Sequence, residues 1–247
     1  MDNWITATTI GKRFWTPELV SLKFDAKIAP FKAGQFIRVG MDIQGERTGR
    51  PYSLVNAPNE HPYEIHFNIV KGGSLSPLLA KLNEGDKFWA YKMSLGFLVL
   101  DEVPDVPDLW LIATGTAISP FLSMIKTSSV WRRFDNIVLV HGVRTADELS
   151  YNETITRALG KHPGQFHFIP VVSREVVPGT IHGRIPASIN DLQLERHAGL
   201  SLDPTRSHVM LCGNSGMISA ATTTLAERGM KPHRRHDPGH ISTEKYF

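Results

Sequence analysis

The sequence predicts an all-β domain followed by an α/β domain, on three observations. In the first part of the 247-residue chain, short segments alternate apolar and polar residues at period two between frequent glycines. Further on, continuous apolar runs replace that alternation and take turns with helical patterns. Between the two lies DEVPDVPD, an acidic stretch with two prolines that suits a linker or the entry to a new domain. The division is set at residue 100, giving domains 1–100 and 101–247.

In the first domain LVSLKF, QFIRVG, YEIHFNIV and KFWAY read as strands. Glycines at 34, 40, 45, 49, 72, 73, 85 and 96 punctuate them, a spacing that suggests a barrel or sandwich. The turn-rich segment IQGERTG leads into RPYSLVN, which reads as an edge strand with unusual polar groups. LSPLLAKL is the one helical candidate there, with Ser76 as its N-cap and Pro77 at its first helical position. In the second domain LWLIAT, IVLVHGV, FHFIPVVS and HVMLCG read as buried strands. ISPFLSMIKTS, ELSYNETITRAL and GMISAATTTLAERG read as the helices between them. That grammar predicts a parallel, doubly wound sheet.

Composition narrows the function classes. Hydrophobic residues are 41% and charged residues 21%, the balance of a chain with an ordinary core. No apolar run is long enough for a bilayer, and the N-terminus lacks the pattern of a secretory signal, so a cytoplasmic protein without membrane association is expected. The single cysteine, Cys212, excludes an internal disulfide, a four-cysteine iron–sulfur cluster and a cysteine-rich zinc site. The eleven histidines show no ligand spacing, so no metal is expected. A net charge of +3 is too mild to argue nucleic acid, and KPHRRH, without interleaved aromatics, reads as a solvated basic loop.

Ligands of open parallel sheets lie beyond the carboxyl ends of the strands, and four predicted strand ends carry suggestive residues. The first runs into TGTAISP, where Thr116 stands at the start of a helix able to hold a phosphate or a polar ring edge; it reads equally well as a plain strand-to-helix turn. Arg144 ends the second, Ser173 and Arg174 end the third, and Arg184 follows in IHGRIP. One arginine would be a surface charge. Three with a serine suit a phosphate beyond the pyrophosphate, as in NADP rather than NAD. The fourth end brings Cys212, Gly213 and Asn214, where a small thiol and a glycine would let a flat ring approach the backbone. A buried hydrophobe is the commoner fate of such a cysteine, and no neighbouring base suggests a nucleophile.

In the first domain Arg50 suits a pyrophosphate, Tyr52 a stacked isoalloxazine and Ser53 the edge of that ring. GGSLSP offers a second anion site, with open backbone at Gly72 and Gly73 and the N–H groups of Ser74, Leu75 and Ser76 where a helix begins. A β-domain with a diphosphate clamp, followed by an NADP-type α/β domain, is the layout of a flavin reductase.

RPYSLVN, GGSLSP, ATGTAISPFLS, VHGVR, VVSRE, LCGN and the ending GHISTEKYF, in this order over essentially the whole chain, resemble the ferredoxin/flavodoxin–NADP reductase family in its proteobacterial form. The resemblance implies a six-stranded antiparallel FAD-binding barrel, a five-stranded parallel NADP-binding domain and a C-terminal tail that returns to the FAD. It implies FAD contacts at Arg50, Pro51, Tyr52, Ser53, Ser74, Leu75, Ser76, Thr116 and Phe247. NADP contacts are implied at Arg144, Ser173, Arg174, Arg184 and Asn214. The family often ends in tryptophan; here Phe247 takes the stacking place.

The implied reaction is hydride transfer between NADPH and FAD N5, with Ser53 near N5 and Thr116 and Cys212 flanking the nicotinamide where the two cofactors meet. Single-electron exchange with ferredoxin or flavodoxin follows. Such carriers are acidic, which a mildly basic monomer suits. A flavin reductase or stand-alone oxygenase reductase component would share every cofactor motif. A non-catalytic NADP-binding redox sensor is the alternative from another class.

Overall fold

The computed structural model describes residues 3–246. The chain divides into two compact units, Met1–Val99 with Ser119–Thr127, and Leu100–Ile118 with Ser128–Phe247.

The first unit is an antiparallel sheet of β1 (Trp4–Thr16), β2 (Leu19–Asp25), β3 (Phe36–Ile43), β4 (Glu46–Ser53), β5 (Tyr63–Asn68) and β6 (Lys87–Tyr91), with helix α1 (Ser76–Lys81) before β6. The order is β4-β3-β6-β1-β2-β5. A Leu54–Ile65 bridge and the Val55 N–H bond to the Glu64 carbonyl (2.9 Å) join its two edges, curling the sheet into a barrel. Val20, Leu22, Phe24, Ile37, Val39, Ile65 and Phe88 fill the interior, and α1 adds Leu79.

IQGERTG is less of a loop than its composition suggests. Only Gln44 (φ 52°) and Gly45 (φ 83°) make the turn, a two-residue hairpin with both residues at positive φ, and Glu46 already pairs with Ile43. β1 carries no clean alternation because it serves two partners. Trp4–Thr8 pair with β6 and Thr8–Thr16 with β2, with register shifts along the second pairing.

The second unit holds β7 (Asp108–Thr114), β8 (Asn136–Val143), β9 (Phe166–Val172), β10 (Ile181–His182), β11 (Ser207–Asn214) and β12 (Ile241–Tyr246). They form one parallel sheet in the order β10-β9-β8-β7-β11-β12, five full strands with the two-residue β10 at one edge. The helices of the chain after β7 are α2 (Ser119–Ile125), α3 (Ser128–Arg133), α4 (Asn152–Lys161), α5 (Ile185–Asn190), α6 (Gln193–Ala198) and α7 (Ser215–Ala226). Trp110, Ile112, Val138, Val140, Val209 and Leu211 pack with Ile189, Leu194, Ile218 and Leu225 in its core. The strands are apolar on both faces, which is why they read as continuous runs.

Three expectations about helices need correction. ISPFLSMIKTS is helical only over Ser119–Ile125, as α2; its last residue, Ser128, opens the separate helix α3, and α2 belongs to the first unit. There Ser123 Oγ donates to the Asn56 carbonyl, Lys126 pairs with Glu60 at 3.1 Å, and Met124 lies against Gly34. ELSYNETITRAL turns helical only at Asn152, because Tyr151 takes a left-handed conformation (φ 61°) and Ala146–Glu148 form a separate 3-10 turn. Ser76 is the first residue of α1 rather than its cap; Leu75 holds the cap position, with no side-chain bond. The linker DEVPDVPD is also more ordered than its prolines suggest. Arg133, the last residue of α3, donates to the carbonyls of Leu100, Val103 and Pro104.

Candidate functional site

In the first unit Arg50, Pro51, Tyr52 and Ser53 are the last residues of β4, opposite Val39, Arg38, Ile37 and Phe36 of β3. Period two puts Arg50 and Tyr52 on one face and Pro51 and Ser53 on the other. Arg50 is exposed, and its guanidinium donates to the neighbouring Gly49 carbonyl (3.0 Å) and meets no carboxylate among the described residues. Tyr52 is half-buried, edge-on to Phe67 at 5.7 Å. Burial pushes its phenol up to about 12, against the downward pull of the Arg50 charge, so it is a neutral ring at any working pH. Ser53 is buried and Pro51 is exposed.

Ser74, Leu75 and Ser76 lie at the start of α1. Their roles differ from one another. Leu75 is a core side chain, 3% exposed, and can offer a ligand only its backbone. Ser76 Oγ accepts the Val70 N–H at 2.9 Å, which ties the helix start to the chain leaving β5. Ser74 is exposed. The N–H groups of all three bond no acceptor among the described residues, the condition of an anion-receiving helix start. Since Tyr52 leans on Phe67 of β5 and Ser76 holds Val70 just past it, both motifs gather around the same end of β5.

In the second unit β7 and β11 are neighbours, while the chain runs outward through β8, β9 and β10 on one side and to β12 on the other. The strand order reverses between them, the position where sheets of this kind bind ligands. Thr116 stands there in the 3-10 turn Gly115–Ile118 that follows β7, and Cys212 and Asn214 stand at the end of β11.

Cys212 is fully buried, in register with Ala113 of β7 and Glu244 of β12. Burial first, and the Glu244 carboxylate second, push its thiol well up, so it stays protonated. On the face where a side chain would stand, the space beside Gly213 is already filled. A Cβ there would fall 2.4 Å from Thr114 Oγ1 and 2.6 Å from Met217 Cε. Asn214 caps α7, its Oδ1 accepting the Met217 N–H at 2.9 Å, which leaves the amide NH2 for a ligand.

Arg144, Ser173, Arg174 and Arg184 come together along the edge formed by β8, β9 and β10. The Ser173 N–H and Oγ both donate to the Val143 carbonyl (3.1 Å each), and the Arg174 N–H donates to the Arg144 carbonyl at 2.9 Å. Gly183, next to Arg184, donates to Val172 at 2.9 Å, and Arg184 holds the cap position of α5. All three arginines are exposed, and their guanidinium groups make no ion pair or hydrogen bond among the described residues. A donor-only set of this kind fits a phosphate. Phe247 lies outside the described residues.

Sequence reasoning passed over three residues here. His141, fully buried on β8, places Nε2 3.0 Å from the Gly115 carbonyl and so fixes the turn that carries Thr116. Its Nδ1 has no partner among the described residues, and burial pulls the ring down to about 4 against the Gly115 bond, so the imidazole is neutral with its proton on Nε2. An apolar strand with one histidine signals burial but not which carbonyl it serves. The other two are Glu148 and Glu175, which sit among the arginines and which no spacing in the sequence singles out. Among the described residues no cluster of three or more His, Cys, Asp or Glu side chains could hold a metal, and no helix is long and apolar enough to cross a membrane.

A curled antiparallel barrel with an unpaired arginine, followed by a parallel sheet with phosphate-type donors at its carboxyl edge, defines a two-domain nucleotide-dependent oxidoreductase. The oxidoreductase FAD-binding domain family matches residues 18–98 and the oxidoreductase NAD-binding domain family residues 111–223. Over 100% of both chains the protein is 43% identical to a flavodoxin/ferredoxin–NADP reductase of Shigella flexneri and 42% identical to that of Escherichia coli K12. A crystal structure of a ferredoxin NADP+ reductase from Neisseria gonorrhoeae with bound FAD and NADP superposes with a TM-score of 0.94 at 32% identity, again over 100% of both chains. The chain belongs to the flavodoxin/ferredoxin–NADP reductase family.

Proposed function

We propose that the protein is an FAD-dependent reductase that exchanges electrons between NADPH and a ferredoxin or flavodoxin. The observation that carries this reading is the match over the whole length of reductases so named, with a flavin-type barrel and a dinucleotide-type sheet both present. The donor sets fit the two nucleotides: unpaired Arg50 and the α1 N–H groups suit a pyrophosphate, and the three unpaired arginines suit the further phosphate of NADP.

FAD, when bound, supplies a ring that takes a hydride equivalent from NADPH and passes electrons on one at a time. The chain's residues bind and orient. Arg50 would neutralise the pyrophosphate, with Pro51 beside it; Tyr52 would offer a flat neutral face; and Ser53 would present its hydroxyl to the ring edge. Ser74, Leu75 and Ser76 would receive phosphate oxygens on backbone N–H groups. Thr116 would stand by the reacting rings, on a turn fixed by His141. Cys212, protonated and buried, would give the nicotinamide side an uncharged wall and exchange no proton. Arg144, Ser173, Arg174, Arg184 and the Asn214 amide would hold NADP. Phe247 would cover the FAD. On this reading the enzyme is a cytoplasmic monomer, which size-exclusion chromatography with light scattering checks.

The test is steady-state turnover with NADPH and NADH against ferredoxin, flavodoxin and free flavin. The purified protein should be yellow, bleach with NADPH, and reduce a carrier protein far faster than free flavin. A higher rate with free flavin would favour the flavin-reductase reading, and a colourless protein that binds NADP without turnover would favour the redox sensor.

A further inference from the structure

Two carboxylates lie among the three unpaired arginines, and neither pairs with a guanidinium among the described residues. Each accepts from the backbone instead. Glu148 Oε2 takes the Arg144 N–H at 2.9 Å, and Glu175 Oε1 takes the N–H of Ala146. Glu175 follows Arg174 at the end of β9, so its side chain crosses to the loop leaving β8. From the other side the His182 ring on β10 donates to the Glu175 carbonyl at 2.9 Å, since a carbonyl can only accept. Glu175 thus staples three consecutive strand ends.

A carboxylate beside a phosphate site costs affinity by repulsion, so its presence there calls for a compensating task. In an NAD site an acidic residue at such a strand end would accept from the ribose hydroxyls. Here the Glu175 oxygen is already engaged, and what it holds is the loop that begins at Arg144.

We propose that Glu175 is a positioning residue for recognition of the 2′-phosphate: it sets the loop 144–148 so that Arg144 and Arg174 present together, and it thereby sets the preference for NADPH over NADH. This rests on the NADP reading above. Its mark is selectivity, because a ligand without the 2′-phosphate gains nothing from the arrangement.

The experiment measures binding of 2′-phospho-AMP and 5′-AMP to the FAD-loaded protein by calorimetry. It adds KM and kcat for NADPH and NADH with ferricyanide, for wild type, Glu175→Ala and Glu175→Gln. Glu175→Ala should weaken 2′-phospho-AMP and raise the KM for NADPH by about five- to tenfold, the worth of one charge-assisted hydrogen bond at an exposed site. Its kcat should hold, and 5′-AMP and NADH should shift by less than about twofold, within ordinary surface-substitution effects. Glu175→Gln, whose amide oxygen still accepts from Ala146, should bind 2′-phospho-AMP at least as well as wild type. The inference is overturned if Glu175→Ala leaves 2′-phospho-AMP binding unchanged or tighter, if both nucleotides weaken alike, or if Glu175→Gln is as impaired as Glu175→Ala. Wild-type protein that binds the two nucleotides equally would overturn the NADP reading itself.

Discussion

Ser53 and His141 are two buried polar residues placed for different work. Ser53 offers a hydroxyl at the end of β4 without the charge of Arg50 or the ring of Tyr52. Ser53→Ala is therefore expected to slow flavin reduction by NADPH by about tenfold or more, the range for a single positioned hydrogen bond, while FAD stays bound. Stopped-flow reduction at the wild-type rate would sink the assignment. His141 is read through stability. Its folded form holds the ring neutral, with a pKa pulled to about 4, while the unfolded chain has the ordinary value of 6.5. Below the ordinary value the unfolded chain takes a proton that the fold refuses, so the stability this group contributes is present at neutral pH and is lost as pH falls toward the folded value. Glutamine in its place keeps a donor for the Gly115 carbonyl and does not titrate. The stability of wild type relative to His141→Gln should then fall by about 2 kcal/mol between pH 7 and pH 5, from the linkage relation. Urea denaturation at the two values measures it, and parallel pH curves would mean that the ring takes up a proton in the fold as readily as in the unfolded chain. His208, pulled to about 3 mainly by burial, titrates in both proteins and cancels in the difference.

At the scale of elements, the parallel strands were legible because burial on both faces leaves an unbroken apolar run, as in DLWLIAT and NIVLVHGV. Period two likewise exposed β2 and β5. What stayed hidden has physical causes. β1 mixes its pattern because its two halves face different partners, and β12, ISTEKY, has a single fully buried residue and so no apolar run to see. Helix starts were misplaced where a backbone conformation decides, as at Tyr151, since side-chain chemistry does not announce a left-handed residue. The segment after Val99 is the entry to the second unit, as one of its two readings had it, but its order was hidden because prolines mark the chain and the clamp is distant. Arg133 reaches it from about thirty residues away, donating to three carbonyls. Arg133→Met should destabilise the protein by about 1–2 kcal/mol, discounted because the arginine is partly solvated, and should speed cleavage after Glu102 by a glutamate-specific protease. Digestion at the wild-type rate would show that Arg133 does not hold the segment, leaving it to its prolines and the Arg235–Glu102 ion pair.

For the whole molecule, the order of motifs along the chain carried more than any one of them. Arg, Tyr and Ser on a strand are ambiguous alone, and so is an arginine at a sheet edge. Strand-end positions could be read because a parallel sheet directs its carboxyl ends to one side, which gathers Arg144, Ser173 and Arg174 without any knowledge of side-chain contacts. Contacts that cross between strand ends, such as His141 to Gly115 and Glu175 to Ala146, leave no spacing signature and had to come from coordinates. The charge total also acts at this scale. With 27 Lys and Arg against 24 Asp and Glu the molecule is only mildly basic, so attraction to an acidic carrier must come from local fields rather than net charge. Attraction of that kind is screened over about 10 Å at 0.1 M salt, so it raises the encounter rate and fades as salt rises. On the proposed function, kcat/KM for ferredoxin should drop by about tenfold between 20 and 300 mM NaCl, within the range of steered association. The rate with ferricyanide is not the right control, because that acceptor is itself an anion. A neutral quinone is, and its rate should stay within about twofold because it offers no charge to steer. If ferredoxin turnover holds steady across that range, docking is apolar and the basic residues play no part in it.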